Sequence, residues 1–147
     1  MRGLAMAALA ALATTGCGLT RGIERDALVA ETSPCAPQRF EVYFAEGEAR
    51  LTNPALQALG LTATRLQGCA IRRVQVLGLA DPSGAPEANL DLSERRAVAV
   101  REALTAAGWP APAFELGAGG ESGALAASGA VQPMRRRTEV LVDAAPL

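Results

Sequence analysis

The sequence predicts a single α+β domain, in the order β-α-β-α-β-β, with two helices packed on one face of a mixed β-sheet. Three observations point there. Residues 39–44 and 71–79 are rich in β-favouring types, and the first of these segments alternates apolar with polar side chains. Two longer segments, opening near Asn53 and near Ser93, repeat apolar residues at helical spacing. The connections between them are short, so successive elements lie side by side around one core. The chain has 147 residues, 50% of them apolar, which suffices for one such domain and not for two.

Taken in order, Arg39-Phe-Glu-Val-Tyr-Phe44 reads as the first strand, followed by a loop from Ala45 to Thr52. Asn53-Pro54 supplies an N-cap and a proline at the first helical position. Leu56, Leu59, Ala63 and Leu66 then extend a helix to about Gln67, weakened by Gly60. Ile71 to Leu79 is the second strand, centred on Val74 and Val76, and Asp81-Pro-Ser-Gly84 is a turn. The second helix is expected from Ser93 to Ala107, with Ala97, Val100, Leu104 and Ala107 facing the core and Gly108 as its stop. Ala113 to Gly117 is a short strand, residues 117–132 a Gly/Ala-rich loop, and Thr138 to Val142 the last strand. The folded domain is expected over residues 38–143.

Composition narrows the chemistry. Aromatic residues make up 3% of the chain, so no platform for stacking bases or sugars is evident. The net charge of −1 argues against a diffuse polyanion, and no nucleic-acid partner is expected. The absence of histidine removes the commonest general base and metal ligand, so neither an enzyme nor a metal or cofactor site is expected.

The first residues form a separate unit. Arg2 is followed by an apolar run from Leu4 to Ala13, too short to span a bilayer but of signal-peptide length. Thr14-Thr15-Gly16-Cys17 resembles a lipobox, with Thr14 where Leu is usual. That resemblance implies a lipoprotein signal peptide over 1–16, cleavage before Cys17 and acylation of Cys17. Gly18 stands where an Asp would retain a lipoprotein at the inner membrane, so an outer-membrane position is expected, with the domain facing the periplasm. Several acyl chains at about 0.8 kcal/mol per buried CH₂ would anchor the protein without spanning. Residues 17–37, which lack periodicity and end in Pro34 and Pro37, read as a flexible tether. In an oxidising compartment, Cys35 and Cys69 favour a disulfide over two free thiols. Each precedes a predicted strand, and a bridge is feasible if those strands are parallel neighbours.

Leu77 to Val100 carries the most specific signal. Gly78, Asp81 and Gly84, then Asn89, Leu92, Ser93, Arg96, Ala97 and Val100, fall at the spacing of the central motif of the OmpA-like peptidoglycan-binding domain, which this stretch resembles. Val42-Tyr-Phe44 with Leu51 and Pro54, Gly120-Glu121, and Arg136-Arg137-Thr-Glu139-Val are similar to its flanking elements. The resemblance implies non-covalent binding of peptidoglycan through the diaminopimelate of the stem peptide, whose free end is an ammonium beside a carboxylate. On the matching positions, Asp81 would take the ammonium. Arg96, expected in the first turn of the second helix, would take the carboxylate through its guanidinium fork, assisted by that helix's N-terminal amides. Asn89 would order the loop or touch the peptide, and Arg136 or Arg137 would add a donor. Taken alone, Asp81 would simply stabilise its turn, Arg96 would be a solvated residue beside Glu94 and Arg95, and residues 135–137 would be a solvated basic run. Both Asp81→Ala and Arg96→Ala are expected to abolish binding and to spare the fold. Leu79, Ala80 and Arg135 replace the family's usual His, Thr and Asn. These departures leave open a second reading, an OmpA-like envelope protein that contacts other envelope proteins instead of the wall.

Overall fold

The structure, a computed structural model, describes residues 33–122 and 136–147. Cys17 and Arg135 lie outside the described residues.

Strand β1 spans Gln38–Tyr43, helix α1 Asn53–Arg65, strand β2 Cys69–Gly78, helix α2 Pro86–Ala106, strand β3 Phe114–Ala118 and strand β4 Arg137–Pro146. A short 3-10 turn at Ala111–Ala113 precedes β3. The sheet order is β1-β4-β2-β3. Strand β4 is antiparallel to both its neighbours, and β2 and β3 are parallel. The α+β order and the mixed sheet with its two helices agree with the sequence reading.

Three local expectations need correcting. The N-cap of α1 is Thr52, whose hydroxyl accepts from the Ala55 amide at 3.3 Å; Asn53 is already helical. Helix α2 starts at Pro86, seven residues before Ser93, with Glu87 as the acid of its first turn. Proline at that position has the helical φ built in and gives up only an amide that would lack an intrahelical partner, and Glu87 meets the positive end of the helix dipole. Arg96 therefore stands in the third turn, not the first. Strand β4 runs to Pro146, beyond the boundary expected at 143.

The core lies between the helices and one face of the sheet. Leu59 and Ala63 of α1, Ala97, Val100 and Leu104 of α2, and Val42, Val74, Val76, Val140 and Val142 of the sheet are all buried there. Each of the larger aliphatic side chains contributes about 1.5–3 kcal/mol by leaving water. Small side chains let α2 approach closely. A Cβ built on Gly78 would stand 1.8 Å from the carbonyl oxygen of Ser93 and 2.7 Å from its carbon. Gly78→Ala must therefore push α2 off β2, and we expect a loss of about 3 kcal/mol or more. Thermal melting checks this, and an unchanged midpoint would contradict it.

Cys35 and Cys69 are joined by a disulfide, with Cα atoms 5.5 Å apart. The reason differs from the one expected, because β1 and β2 are not neighbours: β4 lies between them. A turn closed by the Ala36 amide on the Ser33 carbonyl carries Cys35 past β4 to the first residue of β2. Cys35 is buried, so the folded domain begins before residue 38. Closing a loop of this size stabilises the fold by about 3–4 kcal/mol on the chain-entropy model.

Candidate functional site

β1 and β2 run in the same direction, since both are antiparallel to β4. The bridged cysteines mark one end of the sheet. At the other end, the loop after β1, the turn after β2, the start of α2 and the residue preceding β4 converge on a cleft of about 170 Å³. Its lining is Glu46, Gly47, Asp81, Ser83, Asn89, Leu92, Arg96 and Arg136.

The turn carrying Asp81 is fixed from behind. The Leu79 amide donates to the Arg137 carbonyl at 2.9 Å and the Ala80 amide to the Gly120 carbonyl at 2.8 Å. Both residues are buried, and neither lines the cleft. A Cβ on Gly119 would lie 2.8 Å from a Leu79 methyl, so the Leu79 side chain packs toward the β3–β4 connection. Gly84 takes φ of 110°, a value that favours glycine, and ends the turn ahead of α2.

Arg96 is fully buried, contrary to the alternative of a solvated helix residue. Its Nε donates to the Glu48 carbonyl at 2.8 Å, one terminal nitrogen to the Leu79 carbonyl at 2.8 Å, and the other to the Ala45 carbonyl at 3.2 Å. Its guanidinium carbon lies 5.1 Å from the centre of the Phe44 ring. One side chain thus ties the loop after β1 to the end of β2. Those three bonds use three of the five N–H groups a guanidinium owns, and Arg96 also belongs to the lining of the cleft. Burial pushes the Arg96 pKa below the ordinary arginine value, Asp81 opposes that shift, and Arg136 and Arg95 add to it. Arginine starts so far above neutrality that the group stays charged.

Asp81 presents two different oxygens. Oδ2 lies 3.3 Å from Nε of Arg136, whose terminal nitrogen also reaches Glu46 at 3.6 Å. Oδ1 is buried with no hydrogen-bond donor. Such an oxygen is costly to leave bare, and it marks a place where a donor from outside would be welcome. Asn89 is buried in the first turn of α2 and donates its amide to Glu121 at 2.8 Å. The cleft therefore holds two acids and two guanidinium groups within one concave space. The wider groove between β1 and α1, by contrast, has no cation in its lining.

Asp81, Asn89, Arg96 and Arg136 are thus brought together. Arg137 is not. It faces the side of the sheet away from the helices, 3.3 Å from Glu41 and 2.8 Å from Glu139. Strand alternation explains the split, because Thr138 and Val140 point into the core and the side chains of Arg137 and Glu139 therefore point out. The sequence reading missed Glu46 and Gly47, which it treated as plain loop, the place of Ser83 in the lining, and Glu121 as the partner of Asn89.

The OmpA family model matches residues 43–137, more than half of the chain and the stretch that contains the whole cleft. The chain belongs to the OmpA family. Among solved structures, it is similar to the OmpA-like domain of FopA1 from Francisella tularensis subsp. tularensis SCHU S4. That match has 24% identity, covers 76% of this chain and 74% of that one, and has a TM-score of 0.65. It is also similar to the peptidoglycan-associated lipoprotein from Burkholderia pseudomallei, at 26% identity over 69% of this chain and 88% of that one, with a TM-score of 0.59. The cell wall anchor of the T6SS from Pseudomonas aeruginosa is 23% identical over 74% of this chain and 82% of that one, with a TM-score of 0.58. The first and third likenesses establish a shared OmpA-like fold. No curated protein matches the chain.

Proposed function

We propose that this OmpA-family chain is an outer-membrane lipoprotein that holds peptidoglycan non-covalently by the free zwitterionic end of diaminopimelate in the stem peptide. The observation that carries this reading is the bare, buried Oδ1 of Asp81 in a cleft that also presents Arg96 and Arg136. An ammonium satisfies Oδ1, and a carboxylate one or two bonds away meets the guanidinium groups. The likeness to a peptidoglycan-associated lipoprotein supports the same chemistry. The role is binding, with no bond made or broken.

The leader at 1–16, acylation at Cys17 and an outer-membrane position with the domain in the periplasm belong to this proposal. They fit the polarity of the domain, whose described chain enters at the disulfide end while the cleft opens at the other. Energetics fit a reversible tether. Two charged hydrogen bonds supply at most about 6 kcal/mol, below the roughly 8 kcal/mol of micromolar affinity. Anchoring beside a repeating wall raises effective concentration and makes weak contacts sufficient. Leu79 and Ala80, which stand where the family has His and Thr, do not line this cleft.

Sedimentation with purified sacculi tests the proposal. The protein is expected in the pellet, and recovery in the supernatant would favour an envelope protein that binds other proteins instead.

A further inference from the structure

We propose that Glu121, on the connection after β3, is a positioning residue that turns the Asn89 amide so that its oxygen becomes a second acceptor for the ligand's ammonium. This rests on the proposed function and adds a residue that does not itself line the cleft. The orientation of an asparagine amide is ordinarily ambiguous, because oxygen and nitrogen look alike. Here the chemistry decides it. An ionised carboxylate only accepts, so the group that meets Glu121 Oε2 at 2.8 Å must be the amide nitrogen. Oδ1 of Asn89 is thereby turned away from Glu121. It lies 3.7 Å from where a Cβ on Gly84 would stand, so it faces the turn that carries Asp81.

The described side-chain hydrogen bond of Asn89 is made by its nitrogen, and Asp81 Oδ1 has no described donor. Two acceptors in one lining suit an ammonium, which has three hydrogens to place and gains from a carboxylate and a neutral carbonyl together. Glu121 is well placed for the task because its loop is pinned. The neighbouring Gly120 amide donates to the Ser93 hydroxyl at 3.0 Å, and the Gly120 carbonyl accepts from Ala80 at 2.8 Å. The same short loop thus fixes both acceptors, Asp81 through the backbone of the adjoining residue and Asn89 through the Glu121 carboxylate.

The test compares the full chain in detergent with Glu121→Gln, Asn89→Ala and the double variant. Two probes are titrated: N-acetyl-L-Ala-γ-D-Glu-meso-diaminopimelate, and the same peptide acetylated also on the free amine of its diaminopimelate. Glutamine can donate as well as accept, so it releases the amide to rotate with little change of shape. Glu121→Gln is expected to weaken the free-amine peptide by roughly tenfold. It should leave the much weaker, doubly acetylated peptide unchanged and add nothing in the Asn89→Ala background. Equal loss for both peptides, or full additivity with Asn89→Ala, would show a merely structural role and overturn the proposal. Without any ligand, the Asn89 side-chain NH₂ resonances should be protected from exchange in the parent and lose that protection in Glu121→Gln. Identical protection in both overturns the assignment even if the parent binds wall peptide. Failure of the parent to bind either peptide, with the protection difference present, would instead sink the wall-binding reading and leave the amide's positioning intact.

Discussion

Asp81→Asn is expected to lower affinity for stem peptide by about 10- to 150-fold, the loss of one charged hydrogen bond of about 1.5–3 kcal/mol. The change keeps the side chain's volume, removes its charge and turns one acceptor oxygen into an NH₂ donor. The sole described donor on this carboxylate is Arg136, which is partly exposed and turns to water or to Glu46 when released. Stability should therefore stay within about 0.5 kcal/mol of the parent. Equilibrium titration and thermal melting on the same preparation separate the two effects. A variant that binds as well as the parent would remove Asp81 from the site.

Arg96→Met behaves differently. The sequence alone leads one to expect that losing Arg96 abolishes binding and spares the fold, whereas the buried bonds of this side chain predict a loss of stability as well. Three backbone carbonyls from two separate segments depend on this one buried side chain. Methionine fills much of the space and satisfies none of them, so we expect a loss of about 3–5 kcal/mol and a melting point lower by about 10 °C or more. Arg96→Lys should fail similarly, since a single ammonium cannot span three carbonyls set by a planar fork. A sedimentation defect in an Arg96 variant thus says nothing about ligand contact until the domain is shown to be folded. A melt unchanged from the parent would contradict the clamp.

The elements themselves were legible in the sequence because their periods are clean: two in β1 and β4, and 3.6 in the helices. The start of α2 was missed although its signal was present. Pro86-Glu87 opens that helix much as Pro54 opens α1, but the spacing of Asn89 to Arg96 drew attention to Ser93 instead. The burial of Arg96 was legible too. It shares a face with Asn89, Ser93, Ala97, Val100 and Leu104, all buried, and only its neighbours Glu94 and Arg95 made it look solvated. Period two likewise assigns Arg137 to the outer face of the sheet. The strand order was not legible. Nothing local says that β4 inserts between β1 and β2, and for that reason the disulfide was expected between adjacent strands and is found spanning a third. The cleft's acids split in the same way. Asp81 belongs to a recognisable turn, whereas Glu46 enters only because β1 and β2 end at the same edge.

Central to this account is a cleft that reads an ammonium and a carboxylate held together on one carbon. Nuclear magnetic resonance titration of the full chain with the diaminopimelate tripeptide reports that directly. Saturable shifts confined to residues around Asp81, Asn89 and Arg136, absent when the carboxylate beside the free amine of diaminopimelate is amidated, are the expected result. Shifts that instead map to the groove beside β1, or that persist undiminished with the amidated peptide, would contradict it.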